Sequence, residues 1–213
     1  MITLYAITDD PAAPLPPGMD LRVVADGSLA AICGPVITRD ITADALWEHE
    51  RLVEALMDGR HLLPVRYGTC LPDDAAAARA LEDNHAAYAA SLEAVRGAAE
   101  LAVRVFPDGA AGRPSSGRAA SSGTGYLRAR ARSAAEEAEA RERVHEPLAQ
   151  AARAATVARL PRAEELLRAA YLVDRDATAA FFARVRDVQE QAAGLRITCT
   201  GPWPPYSFVG ERS

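Results

Sequence analysis

The chain of 213 residues contains no lysine, so all 24 of its basic side chains are arginine, set against 29 Asp and Glu for a net charge of -5. That absence excludes a Walker-type phosphate loop, whose lysine reaches the phosphates, and any lysine Schiff-base chemistry. Together with heavy use of alanine, it reflects genomic base composition more simply than mechanism. The acidic balance argues against nucleic acid as the main partner, because a phosphate binder normally carries a net basic domain. Cysteine is scarce too. Cys33, Cys70 and Cys199 are odd in number, far apart and without a C-x-x-C pair, which speaks against disulfides and a thiolate zinc site and reads as buried free thiols. No run approaches the roughly eighteen apolar residues of a membrane span. The start, Met1-Ile2-Thr3-Leu4-Tyr5, lacks the basic and apolar regions of a signal peptide, so the expected location is cytoplasmic.

What is present, 49% hydrophobic and 25% charged residues, fits an ordinary globular protein of one large domain or two small ones. Alternation predicts strands over 2–8, 21–25 and 29–33, with Ile2, Leu4 and Ala6 on one side of the first. Asp26-Gly27-Ser28 is a hairpin signal between the second and third. Asp40-Ile41-Thr42 leads into a helix over 43–58, where Leu46, His49, Val53, Leu56 and Met57 share an apolar stripe, and Gly59 ends it. A buried strand interrupted by Pro64 follows over 62–70, then an alanine-rich helix from Asp73 to Val95.

The second half has a different rhythm. Leu101, Val103 and Val105 alternate in a strand, and residues 108–125 are nearly all Gly, Ser, Ala, Pro and Arg, a flexible loop or linker. A helix is predicted from Tyr126 to about Glu146, where Pro147 should kink or stop it. A short strand at 155–160, a strand at 164–173, a helix carrying Phe181, Val185, Val188 and Ala192, and a strand with Leu195, Ile197 and Cys199 inward complete the order. This β-α-β-β-α-β order is that of a ferredoxin-like split unit. The fold class is therefore α+β in two domains: an N-terminal α+β domain over 1–97 and a C-terminal ferredoxin-like domain over 98–213, with loop 108–125.

The second domain closes with Gly201-Pro202-Trp203-Pro204-Pro205-Tyr206-Ser207-Phe208, three prolines and three aromatics in eight residues. Proline removes a donor and constrains the residue before it, so this tail should run extended or polyproline-like. Trp203, Tyr206 and Phe208 then suit either a cover over the protein's own core or a contact with a partner. Composition does not separate the two.

Catalytic readings are weak. His49-Glu50 starts an H-E-x-x-H, but Val53 occupies the second ligand position, and His61, His85 and His145 form no cluster with it. His49 on an apolar stripe is more simply a hydrogen-bonded core or interface histidine. Cys70 follows a buried strand near Arg66 and His61, so a Cys-His pair can be imagined. No orienting acid or oxyanion feature accompanies it, and a small buried apolar group is the simpler reading. Gly112, Gly117, Gly123 and Gly125 do not spell G-x-G-x-x-G. No cofactor or metal is expected.

Taken in order, Leu4-Tyr5-Ala6-Ile7, His49, Leu63-Pro64-Val65-Arg66-Tyr67-Gly68-Thr69, Ala170-Tyr171-Leu172-Val173 and the closing Pro-aromatic segment resemble the gas vesicle protein family labelled L and F. The resemblance covers nearly the whole chain. Tyr67 stands where many relatives have phenylalanine, and the Gly/Ser loop looks like a local insertion. The resemblance implies a non-enzymatic accessory protein of gas vesicle formation, with an N-terminal α+β and a C-terminal ferredoxin-like domain. It also implies binding to the hydrophobic shell-forming subunit and to other minor vesicle proteins, without nucleic acid or a membrane span. The motif residues His49, Pro64, Arg66, Tyr67, Gly68, Tyr171, Trp203, Pro205, Tyr206 and Phe208 become candidate domain-interface or partner contacts. Arg66 suits either a bonded ion pair between the domains or a charge offered to a partner. The tail is expected to cross back over the fold, onto the first domain near Arg66 and Tyr67. The rival reading is a small-molecule enzyme or regulatory module on the same scaffold, using Cys70, His61 and Arg66.

Overall fold

A computed structural model describes residues 1–36, 41–108, 134–158 and 165–209. The chain forms two compact units, 1–99 with 203–213, and 100–202.

In the first unit, β1 (Ile2–Thr8) lies between β3 (Leu29–Pro35) and the short strands β4 (Leu62–Pro64) and β5 (Cys70–Leu71), while β2 (Arg22–Asp26) forms the far edge. Alternation predicts one buried face for β1, yet all seven residues are buried. A strand paired on both edges and covered on both faces has no solvent side. The β2–β3 hairpin closes through Gly27 and Ser28, with Asp26 opposite Leu29 and Gly27 at φ 59°, the left-handed backbone that a two-residue hairpin turn requires.

Helix α1 (Ala43–Met57) starts where Thr42 Oγ1 accepts from Ala45 N at 3.2 Å, satisfying one of the unpaired donors of the first turn. Its Leu52, Val53, Leu56 and Met57 pack on Tyr5, Ala6, Ile32, Leu62 and Ala99. The single alanine-rich helix expected over 73–95 is two, α2 (Asp74–Asp83) and α3 (His85–Val95). They meet at Asn84, whose side chain bonds back to Ala80 O at 2.9 Å while its backbone leaves the helical region. A short amide competing for helix carbonyls is a local alternative that apolar periodicity does not reveal.

The 62–70 strand is also divided. β4 and β5 pair with opposite ends of β1, and Arg66–Gly68 leave the ladder between them.

The second unit holds β6 (Ala98–Pro107, whose first two residues belong to the first unit), β7 (Ala154–Val157), β8 (Leu167–Asp174) and β9 (Leu195–Trp203) in the sheet order β7-β8-β6-β9. β7 runs antiparallel to β8. The expected loop 108–125 falls almost wholly outside the described residues, as does the first part of the helix expected from Tyr126. Its described part, α4 (134–140), widens into a π-turn over Arg141–His145 and ends in α5 (Glu146–Ala149). The widening sits directly before Pro147, and Glu146 N bonds five residues back to Arg141 O. Proline supplies no N–H to the carbonyl four residues earlier, so the helix continues by changing its bonding, not by stopping. Helix α6 (Thr178–Gln191) packs Phe181, Val185 and Val188 with Leu101, Val103, Tyr171 and Val173.

Candidate functional site

The R-Y-G-T spelling becomes a turn. Thr69 N donates to Arg66 O at 3.3 Å and Gly68 has φ 86°, the geometry of a turn with glycine at its third position, where a side chain would be strained. Around it the ladder continues, with Val65 N donating to Tyr5 O and Leu4 N to Thr69 O, both at 2.9 Å. Opposite, the β1–β3 register slips between Leu4 and Ala6, so Tyr5 is the extra residue of a bulge. Bulges re-aim side chains, and this one brings both Tyr5 and Ala6 into the cluster under α1.

Tyr5 stacks on His49 at 5.2 Å between ring centroids, and Tyr67 meets the same imidazole edge-on at 5.6 Å. His49 is only 3% exposed. Its Nε2 donates to Val65 O at 2.8 Å, since a carbonyl can only accept, and Nδ1 is buried with no partner among the described residues. A cavity of about 60 Å³ beside these rings is lined also by Thr3, Glu48 and Cys70. That is room for a few waters.

The other side of α1 is open. Trp47 is 68% exposed, Leu46 38% and Trp203 39%. With Glu50, Arg51 and Glu54 they line a groove of about 360 Å³. The tail forms one wall of it. Trp203 ends β9, Pro204 and Pro205 are buried, and Tyr206–Phe208 turns into a 3-10 helix in which Tyr206 N bonds to Pro204 O and Phe208 N to Pro205 O. The extended or polyproline-like course expected for the tail therefore ends at its last proline, after which nothing prevents a turn. Tyr206 packs on the cluster beneath α1. Burial, and then the Glu50 carboxylate beside it, raise the Tyr206 phenol's pKa, so it stays protonated. Burial likewise raises the pKa of Glu50, His49 and Tyr206 opposing that shift and Glu54 adding to it. The tail thus groups with the first unit, where the sequence places it in the second domain.

The remaining candidates are scattered. Pro64 is buried opposite Ala6 on an edge strand, a position that needs no amide donor. Arg66 is exposed on the turn. Phe208 is half-buried at the end of the tail. Tyr171 is fully buried in the second unit, its hydroxyl 2.9 Å from His145 Nδ1 and its ring 5.3 Å from Phe181. Desolvation first, then the nearby Arg141, lower the pKa of His145.

The imagined Cys-His pair is not formed. Cys70 pairs with Thr3, whereas His61 lies next to Leu62, which pairs with Thr8. Five residue steps along β1 separate those ends, roughly 17 Å. His61 Nδ1 is engaged by Gly97 N at 3.2 Å. Of the thiols, Cys33 alone is fully buried and Cys70 and Cys199 partly so. Burial pushes Cys33 and Cys199 up to about 11, which makes them poor nucleophiles. Among the described residues no group of three or more His, Cys, Asp or Glu is placed to hold a metal ion, and no helix is long and apolar enough to cross a membrane.

The model of the family described as gas vesicle synthesis protein GvpL/GvpF matches residues 2–210. The chain belongs to the GvpL/GvpF family. It is 32% identical to gas vesicle protein L of a Streptomyces species, covering 89% of this chain and 83% of that one. To gas vesicle protein F of the same organism it is 29% identical, covering 91% and 89%. The crystal structure of GvpF from Anabaena superposes with a TM-score of 0.81 at 19% identity, covering 100% of this chain and 97% of that one. That of GvpF from Microcystis aeruginosa gives 0.73 at 18% identity, with 98% of each covered. The mixed α/β fold with two sheets is thus that of GvpF. Within this GvpL/GvpF chain, the feature that periodicity misses is Trp47. It stands one residue off the apolar stripe, and Leu46, expected on that stripe, is instead exposed beside it, lining the groove with Glu50, Arg51 and Glu54 on a second face of the helix.

Proposed function

We propose that this GvpL/GvpF protein is a non-enzymatic accessory factor of gas vesicle assembly. It binds the hydrophobic shell-forming subunit, or other minor vesicle proteins, in the cytoplasm and at the growing vesicle. The observation that carries this reading is the family match over residues 2–210. Physical chemistry makes the role reasonable: shell subunits with an apolar face aggregate in water unless another surface holds them. The separation of His61 from Cys70 supports it, because the Cys-His pairing of the rival reading is not formed.

The same reading treats the chain as two domains, the second ferredoxin-like. The sheet order β7-β8-β6-β9 with α6 between β8 and β9 supports it. Within that division, His49, Pro64, Tyr67, Gly68 and Tyr171 act as scaffold, while Trp203, Pro205, Tyr206 and Phe208 dock the tail. Arg66 remains a candidate partner contact on its exposed turn.

The test is deletion of the gene in a vesicle-forming host, combined with co-purification against the shell subunit and each minor vesicle protein. Loss of vesicles together with recovery of at least one of these proteins is expected. Normal vesicles and no co-purifying vesicle protein would refute the reading.

A further inference from the structure

The groove between α1 and the tail has a specific chemistry. Two indoles, Trp47 and Trp203, face a space that also holds the carboxylates of Glu50 and Glu54 and the guanidinium of Arg51. Glu50 and Glu54 are four residues apart on one helix, where like charges repel, and Glu54 contributes to the raised pKa of Glu50. Among the described residues that line the groove, one arginine stands against two carboxylates, a net negative lining. Indole faces attract cations, tryptophan most strongly of the aromatic side chains, and the attraction grows when water is displaced. Leu46, also lining the groove, supplies the apolar contact that would displace it.

We infer that the groove is a docking site for a lysine or arginine side chain carried on an amphipathic segment of another protein. The cation sits between the two indoles and the Glu50–Glu54 pair, and its apolar neighbours cover Leu46 and the exposed edge of Trp47. Charge complementarity selects this occupant over an acidic or purely apolar one, and the 360 Å³ of space admits a long side chain with its neighbours. An acidic chain of net charge -5 attracts such a segment at long range as well. The inference rests on the reading that the protein binds other vesicle proteins, and it assigns the surface and the chemistry.

The sequence supplies its own reporter. The chain has two tryptophans and both line the groove, so intrinsic tryptophan emission reads that site alone. The full-length chain is titrated with an amphipathic Lys/Leu helical peptide and with its Glu/Leu counterpart, and is co-expressed with the shell subunit and each minor vesicle protein. Saturable quenching or shift of emission by the basic peptide alone is expected. Glu54→Arg should weaken that response and capture of the vesicle partner at least tenfold, and Trp47→Ala should weaken capture equally. Glu82→Arg, an exposed reversal on α2, should change neither. Equal responses to both peptides, or partner capture unaffected by Glu54→Arg and Trp47→Ala, overturn the groove while leaving the assembly role standing. Failure of the wild-type chain to capture any vesicle protein overturns both. Self-association that disappears in Trp47→Ala assigns the groove to a second copy of this chain and overturns the proposed occupant.

Discussion

Helix α1 presents two faces of opposite character. One carries His49, Leu52, Val53, Leu56 and Met57, all buried, with His49 held between Tyr5 and Tyr67 and bonded to the backbone at Val65. The other carries Leu46, Trp47, Glu50, Arg51 and Glu54 around an open groove. The two faces share a cap, a helix and a sequence of fifteen residues. What distinguishes them is satisfaction: on the inner face apolar groups are covered and the ring nitrogen that bonds has its carbonyl. On the outer face an indole lies open to solvent beside two carboxylates and one guanidinium. A buried aromatic residue explains itself through the core, whereas an exposed one beside a groove asks for a partner.

Substitutions on the two faces should separate these roles. Leu56→Ala, which empties a fully buried site under α1, should lower unfolding free energy by about 2–5 kcal/mol in a urea titration. A smaller loss, about 2 kcal/mol, is expected for Tyr206→Ala, because the half-buried ring covers the same cluster from outside. If Tyr206→Ala were neutral, the tail would be a partner segment and not part of the first unit's core. Trp47→Ala should change stability by no more than about 0.5 kcal/mol, while weakening capture by the groove as strongly as Glu54→Arg. A large stability loss there would make Trp47 an ordinary core residue and erase the contrast between the faces.

The second unit offers a control, because its histidine-tyrosine pair joins the half-buried His145 to the fully buried Tyr171 of that unit's own core. Folding lowers the pKa of His145 below its ordinary value of 6.5, through desolvation and Arg141. The unfolded chain therefore binds the proton more readily. The contribution is fully present above pH 6.5 and is lost as pH falls from there through the folded-state value. Urea titrations at pH 7.5 and at successively lower pH should show this loss, and His145→Gln should remove that part of the slope. An unchanged slope in the variant would place the titrating group elsewhere.

Much of the fold is legible from the residues. Thr42 and the stripe of His49, Val53, Leu56 and Met57 locate α1, Gly27 locates the hairpin, and Phe181, Val185 and Val188 locate α6, since each rests on local chemistry or a repeating period. What is not legible depends on neighbours distant in sequence. The burial of both faces of β1, the bulge at Tyr5 and the turn at Arg66–Thr69 exist because two strand fragments pair with one strand, which no period encodes. The break at Asn84 depends on one side-chain bond. Of the candidate site, the family motifs identify the scaffold around His49 and the tail. The groove escapes because it joins Trp47, an off-stripe residue, to Trp203, 156 positions later.

The central claim is that the outer face of α1, with Trp203, is where this GvpL/GvpF protein does its work, while the inner face only holds it together. The most direct test is complementation of a host lacking the gene, with vesicle yield measured for Trp47→Ala alongside a circular-dichroism melt of the purified variant. The account predicts a wild-type melt and no restoration of vesicles. Wild-type vesicle yield from the folded Trp47→Ala protein would contradict it.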